Sequence, residues 1–194
     1  MSKIDFKLDE MIENMTKNDR TVAMVEEFDR ESCFKLIKRI NDIVKSDDSI
    51  NKPMDKREPI KIIISSYGGC VLSYLGVASV IERLVERGYI IHTHLESMAM
   101  SAGFYLLMLG NKRTANRYGI GLIHTLQGGI YYSPIQGMKE EMEYCETIQK
   151  IIEKITLKHT KFTQKELDEI RKYKLDKSMT AEELLEKGVI DEII

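Results

Sequence analysis

Residues 60–65 read I-K-I-I-I-S, and few stretches restrict a fold so tightly. A β-branched run this unbroken suits a strand buried on both faces, not one with a wet side. It leads at once into S-S-Y-G-G-C and then Val71–Arg87, apolar enough for a core-packed helix that Gly88 closes. Strand, glycine turn and helix make the first half of a crossover unit. The alternation continues with a strand at Tyr89–Leu95, a loop from Glu96 into a buried helix entered at Ser101, and a strand at Gly119–His124 before a Gly128-Gly129 turn. With Thr21–Val25 as a first strand, the pattern predicts an α/β chain with a mostly parallel sheet.

The flanking segments are helical in pattern. Ile4, Leu8, Met11, Ile12 and Met15 give Met1–Arg20 an amphipathic helical spacing. Asp29 can cap a helix whose Cys33, Phe34, Leu36, Ile37, Ile40, Ile43 and Val44 form one apolar stripe. Ser46–Glu58, polar and holding Pro53, reads as an exposed loop. From Pro134 to about Thr160 runs one long helix with Met138, Met142, Cys145, Ile148, Ile152 and Ile155 in steps of three or four. Periodicity alone leaves open whether it lies across its own sheet or offers a partner surface. Thr163 with Glu166 and Thr180 with Glu183 mark two capping-box starts, and Gly188 ends the second helix before V-I-D-E-I-I. No repeat or linker divides the chain, so residues 1–194 are expected to form a single domain.

Composition removes several function classes. A net charge of −2, from 31 acidic and 29 basic residues, gives no reason to expect nucleic acid as a partner. Nothing reaches the roughly 18 uninterrupted apolar residues of a membrane span, and the N-terminus lacks a signal-peptide core. Cys33, Cys70 and Cys145 are odd in number and widely spaced, which fits reduced thiols. The expectation is a cytoplasmic protein with no membrane partner.

Within E-S-M-A-M-S-A-G-F-Y-L-L-M-L-G, Ser101 stands where the chain enters a helix. Its hydroxyl can cap that helix, or it can act as a nucleophile beside free N–H groups and a helix dipole that stabilise an anion. A nucleophilic serine needs a base. His92 and His94 alternate on one strand and face the same way, but as a metal pair they lack further ligands; no metal or cofactor is expected. His159 falls in the charged tail of the long helix and reads as solvated. His124 ends a strand. The loops at the C-terminal ends of parallel strands assemble sites, so Ser101, His124 and the Gly68-Gly69 turn can converge on one edge. Gly68 and Gly69 serve either a tight turn with positive φ or an unobstructed backbone approach to a substrate carbonyl.

The blocks S-S-Y-G-G-C-V, M-S-A-G-F-Y-L-L, L-I-H-T-L-Q-G-G and D-K-S-M-T-A-E-E-L-L-E-K-G-V-I-D come in order at compatible distances. Together they resemble the proteolytic subunit of the ATP-dependent Clp protease, from about Thr21 to Ile194. The resemblance implies a crotonase-like α/β fold and a Ser-His-Asp peptidase with Ser101 as nucleophile, His124 as general base and Asp176 as the orienting acid. It implies an oxyanion hole from the N–H groups of Gly69 and Ala102. Substrate would be an unfolded polypeptide lying extended along Tyr67, Gly68 and Gly69, with Thr125 and Leu126 opposite. It further implies homo-oligomeric rings of seven, interlocked by the Pro134–Thr160 helix into a tetradecamer and fed by a hexameric ATP-dependent unfoldase.

Departures mark a divergent member. Tyr67 replaces the family's usual proline, the Ser101–His124 separation is shorter, with the deficit in the Asn111–Tyr118 loop, and Met1–Arg20 is short for an axial-pore hairpin. Alternatives are an inactive or regulatory subunit, a crotonase-fold acyl-CoA enzyme using the paired N–H donors for an enolate, and a relative of signal-peptide peptidases. The last is disfavoured by the histidine base.

Overall fold

The computed structural model describes residues 20–128 and 134–194. The expected helix in Met1–Arg20 and Gly129 of the second glycine turn therefore lie outside the described residues.

Strands β1 (Thr21–Met24), β2 (Ile60–Ser66), β3 (Ile91–Met100), β4 (Lys112–Ala115), β5 (Ile120–Ile123), β6 (Lys177–Met179) and β7 (Glu192–Ile193) form one sheet. Its main path is β1-β2-β3-β4-β7, parallel throughout, with β5 parallel to β3 and β6 antiparallel to β5. The chain is thus a mixed α/β fold on a mostly parallel sheet. Ile60, Ile62 and Ile64 of β2 are fully buried and Ile63 nearly so, as a strand covered on both faces requires.

Strand β3 is the axis of the sheet and is longer than the sequence predicts. Glu96–Met100, expected as a loop, continues the strand because a second neighbour becomes available. Its first half pairs with β4 (His92↔Lys112 to Leu95↔Ala115), and its second half pairs with β5 (Met98↔Ile120 to Met100↔Leu122). The Asn111–Tyr118 loop likewise contains β4, a strand too short and polar to show in the pattern.

Helices α1 (Arg30–Ser49), α2 (Val71–Glu86) and α3 (Ala102–Leu107) join the core, where Tyr74, Phe104, Ile40 and Ile81 are fully buried. Asp29 caps α1 in a box with Ser32: its carboxylate accepts the Ser32 N–H at 2.7 Å. Phe34, assigned to the apolar stripe, instead points outward at 64% exposure, while Cys33, Leu36, Ile40, Ile43 and Val44 are buried. The Ser46–Glu58 segment is no free loop. The helix runs on to Ser49, a 3-10 turn forms at Met54–Lys56, and Arg57 ties both together through Asp48 at 2.8 Å and the Lys52 carbonyl at 2.8 Å.

Helix α4 spans Ile135–His159, followed by α5 (Gln164–Tyr173) and α6 (Ala181–Glu186). Both expected capping boxes are present, Thr163 with Glu166 and Thr180 with Glu183. Along α4 burial begins only at Ile148; earlier in the helix Ile135, Met138, Met142 and Tyr144 are exposed. The first half of α4 therefore projects past the body instead of lying across the sheet. His159, expected in solvent, is half-buried with Nε2 3.5 Å from Glu82 Oε1, and burial lowers its pKa.

Candidate active site

Strand β3 delivers the chain to Ser101 with no intervening loop, and Ala102 begins α3. That abrupt strand-to-helix change forces Ser101 to φ 53°, ψ −119°, a region that L-residues avoid and that costs about 1–3 kcal/mol. The Ser101 N–H donates to the Leu122 carbonyl at 2.9 Å, which fastens the turn to β5. Its hydroxyl does not cap α3 and makes no hydrogen bond among the described residues. Capping is thereby removed as the explanation of this serine. A strained serine on a sharp strand–helix turn, hydroxyl free, is the geometry that exposes a nucleophile.

Gly68 and Gly69 take the positive φ that a tight turn requires. Their φ values are +99° and +139°. A Cβ on Gly68 would lie 2.6 Å from the Met100 carbonyl oxygen and 2.6 Å from Ser101 Cβ. On Gly69 it would meet the Phe28 N at 2.7 Å, because Phe28 bridges this turn as a short parallel pair. The pairing uses the Gly68 carbonyl and the Cys70 N–H, so the Gly69 N–H is left without an acceptor among the described residues. As the first helical residue, Ala102 also has no intrahelical acceptor for its N–H. Since α3 is only six residues long, these N–H groups matter more here than a helix dipole.

His124 follows β5 directly. The parallel β3–β5 register sets Met100 against Leu122, so Ser101 stands level with Ile123 and His124 comes one residue later on the same edge. Both line an open cavity of about 530 Å³ together with Tyr67, Gly69, Ala102, Thr125 and Leu126. Gly68 is buried behind Ser101 and does not line it. The far wall comes from α4 through Tyr144, Cys145 and Ile148.

The His124 Nδ1 lies 2.6 Å from the Thr125 carbonyl oxygen. A carbonyl only accepts, so Nδ1 carries the proton and Nε2 of the neutral ring is a bare lone pair. That is the tautomer a general base needs. The expected orienting acid, Asp176, stands just before β6. Strand β6 pairs Ile123 with Lys177, and one further step sets Asp176 opposite His124. Its side chain is exposed and makes no hydrogen bond to His124 among the described residues.

Residues that sequence reasoning missed frame the histidine. Tyr105 of α3, its phenol pKa raised by burial, donates to the His124 carbonyl at 3.0 Å. Gln149 of α4 accepts the Leu126 N–H at 2.8 Å. The signal for Gln149 was a polar side chain between Ile148 and Ile152 on the apolar stripe of a long helix. Cys70 is an exposed thiol on the cavity wall, and the Ser73 N–H at the start of α2 lowers its pKa. The His92–His94 pair does share a face, but both rings bond Thr114 Oγ1, at 2.8 and 2.7 Å. No group of three or more His, Cys, Asp or Glu side chains suited to a metal occurs among the described residues.

A strained serine, a histidine whose Nδ1 meets a carbonyl, and backbone N–H groups without acceptors among the described residues line one cleft at the sheet edge. The model of the Clp protease family matches residues 9–194. The chain belongs to the Clp protease family, a family of peptidases whose membership implies oligomeric assembly and peptide substrates. No helix among the described residues is long and apolar enough to cross a membrane.

Proposed function

We propose that this chain is a serine endopeptidase that cleaves unfolded polypeptides within an oligomeric chamber. Ser101 Oγ attacks the scissile carbonyl carbon while His124 Nε2 takes the hydroxyl proton. The oxyanion is received by the N–H groups of Gly69 and Ala102. The C–N bond then breaks, the leaving amine takes the proton from His124, and water hydrolyses the Ser101 ester by the same route in reverse. The observation that carries this reading is the strained φ of 53° at Ser101, held with its hydroxyl uncommitted beside both free donors.

The Thr125 carbonyl holds the histidine tautomer, and Asp176, one residue beyond the end of the β5–β6 ladder as His124 is, contributes charge that favours the imidazolium. A substrate lies extended along Tyr67–Gly69, its side chains entering the cleft beside Leu126 and Ile148. The exposed apolar residues of projecting helix α4 form the contact between subunits, in rings fed by an ATP-dependent unfoldase. A crotonase-like arrangement and a cytoplasmic location belong to the same reading.

The unbonded Asp176 supports one second reading, a dormant subunit retained for assembly. Hydrolysis of an unstructured fluorogenic peptide by the assembled protein, lost in Ser101→Ala while assembly persists, is the test. A Ser101→Ala variant that still cleaves would remove Ser101 from the mechanism.

A further inference from the structure

The backbone from His124 to Leu126 is gripped at each residue. The His124 carbonyl takes the Tyr105 hydroxyl, the Thr125 carbonyl takes His124 Nδ1–H, and the Leu126 N–H goes to Gln149 Oε1. Thr125 Oγ1 also reaches Gln149 Oε1, at 3.3 Å. Gln149 therefore holds the segment whose carbonyl fixes the base, without touching the ring or the cavity's reacting atoms.

The amide of Gln149 has no freedom to flip. Its Nε2 donates to Glu153 Oε1 at 3.1 Å, one turn along α4. A carboxylate accepts only, and the Leu126 N–H donates only, so Oε1 and Nε2 are assigned by their partners. Glu153 is itself buried at 7% exposure. Its other oxygen accepts from Gln164 Nε2 at 3.1 Å, and Arg171 Nη1 lies 3.6 Å from Oε1. Both of these partners sit on α5, so α4 and α5 converge on the Glu153 carboxylate that holds the amide. A buried carboxylate satisfied from several sides is costly to disturb, which makes the relay rigid.

From this we infer that Gln149 is a positioning residue for the proposed peptidase, setting the His124 tautomer through the Thr125 carbonyl, with Glu153 orienting the amide. It rests on the peptidase reading, but its first readout does not. With Gln149→Ala the Leu126 N–H loses its acceptor and the Thr125 carbonyl is free to turn. Gln149→Glu keeps an acceptor for Leu126 but sets a carboxylate against Glu153. Pairing it with Glu153→Gln restores a donor between positions 149 and 153 with the polarity exchanged.

The experiment is a solid-state ¹⁵N spectrum of histidine-labelled protein, with His124 assigned by its loss in His124→Asn, beside kinetics on a fluorogenic peptide. The native chain is expected to show His124 protonated at Nδ1 alone, and Gln149→Ala a mixture of tautomers. In Gln149→Ala kcat should fall about 10- to 100-fold, the range for displaced catalytic groups, with KM changed by less than about twofold. Gln149→Glu alone should be impaired, and Gln149→Glu/Glu153→Gln should recover both tautomer and kcat. A native Nδ1–H tautomer that survives Gln149→Ala would overturn the inference, as would a swap pair no better than Gln149→Glu. Should Gln149→Ala not fold, the swap comparison decides alone. Tautomer shifts as expected in a protein that cleaves no peptide would leave the positioning intact and sink the peptidase reading.

Discussion

Gly68 is packed so closely on Ser101 that a Cβ at position 68 would stand 2.6 Å from the Cβ of Ser101. The same added carbon would stand 2.6 Å from the Met100 carbonyl oxygen, an atom of the β3 backbone that has little room to retreat. Gly68→Ala thus couples two penalties, a forced shift of the serine turn and a side chain at φ +99°. Backbone strain of this kind costs about 1–3 kcal/mol. The expected outcome is a melting temperature lower by roughly 2–4 °C per kcal/mol. Peptide cleavage should fall by about 100-fold or more, since a shift near 1 Å at the nucleophile is enough for that. Thermal unfolding and initial rates on a fluorogenic peptide check both.

Strain at Ser101 itself is measurable. Ser101→Ala removes the hydroxyl but keeps a Cβ at φ 53°, whereas Ser101→Gly removes both. Relief of strain should outweigh the roughly 0.5–1 kcal/mol that glycine's unfolded-state entropy costs. Ser101→Gly is therefore expected to melt above Ser101→Ala, by a few degrees, with both inactive. A Ser101→Gly that melts lower than Ser101→Ala would show that the turn stores no strain.

The Nδ1–Thr125 hydrogen bond at 2.6 Å sets a ranking for the acid. Asp176→Asn should reduce kcat by roughly 10- to 100-fold, well short of the 10⁴-fold or greater loss expected of Ser101→Ala. Equal losses in the two variants would mean that the carboxylate, not the Thr125 carbonyl, carries Nδ1–H during reaction.

Acid sensitivity should arise on the opposite part of β3. His92 and His94 share Thr114 Oγ1, and His94 Nε2 lies 3.3 Å from Glu96 Oε2. Burial, with Lys112 and Lys61 nearby, lowers the His92 pKa to about 4, and burial with Lys61 lowers that of His94 against the pull of Glu96. Both rings are then neutral in the fold at a pH where the unfolded chain, near 6.5, already binds protons. Stability from this pair is full above about pH 6.5 and is lost as pH falls towards about 4. The melting temperature should drop over that window, and drop less in His92→Gln/His94→Gln. Identical pH slopes for the two proteins would contradict this.

Where side-chain period carried the information, the sequence was legible: the buried β2 run, the Asp29 cap, both capping boxes and the span of α4 follow from residue type and spacing. It was silent where pairing decides. Glu96–Met100 becomes strand only because β5 lies beside it, and Lys112–Ala115 only because β3 and β7 flank it. Phe34 looked like core until α1 turned it outward. At the site, Ser101, His124 and the glycine pair were readable because they end strands. Gln149 was not, because its contact with the Leu126 N–H comes from helix packing across 23 residues of sequence, and the Thr125 carbonyl was not, because no side-chain pattern encodes where a backbone oxygen points. The orientation of the Asp176 side chain was not legible, since a matching position does not fix a side-chain contact.

The central claim is that Ser101 is an activated nucleophile. Intact mass after exposure to a fluorophosphonate, for the native chain beside Ser101→Ala, tests it most directly. A single adduct on the native chain and none on the variant is the expected result. A folded, assembled native chain that gains no adduct, or a Ser101→Ala chain that gains the same one, would contradict it.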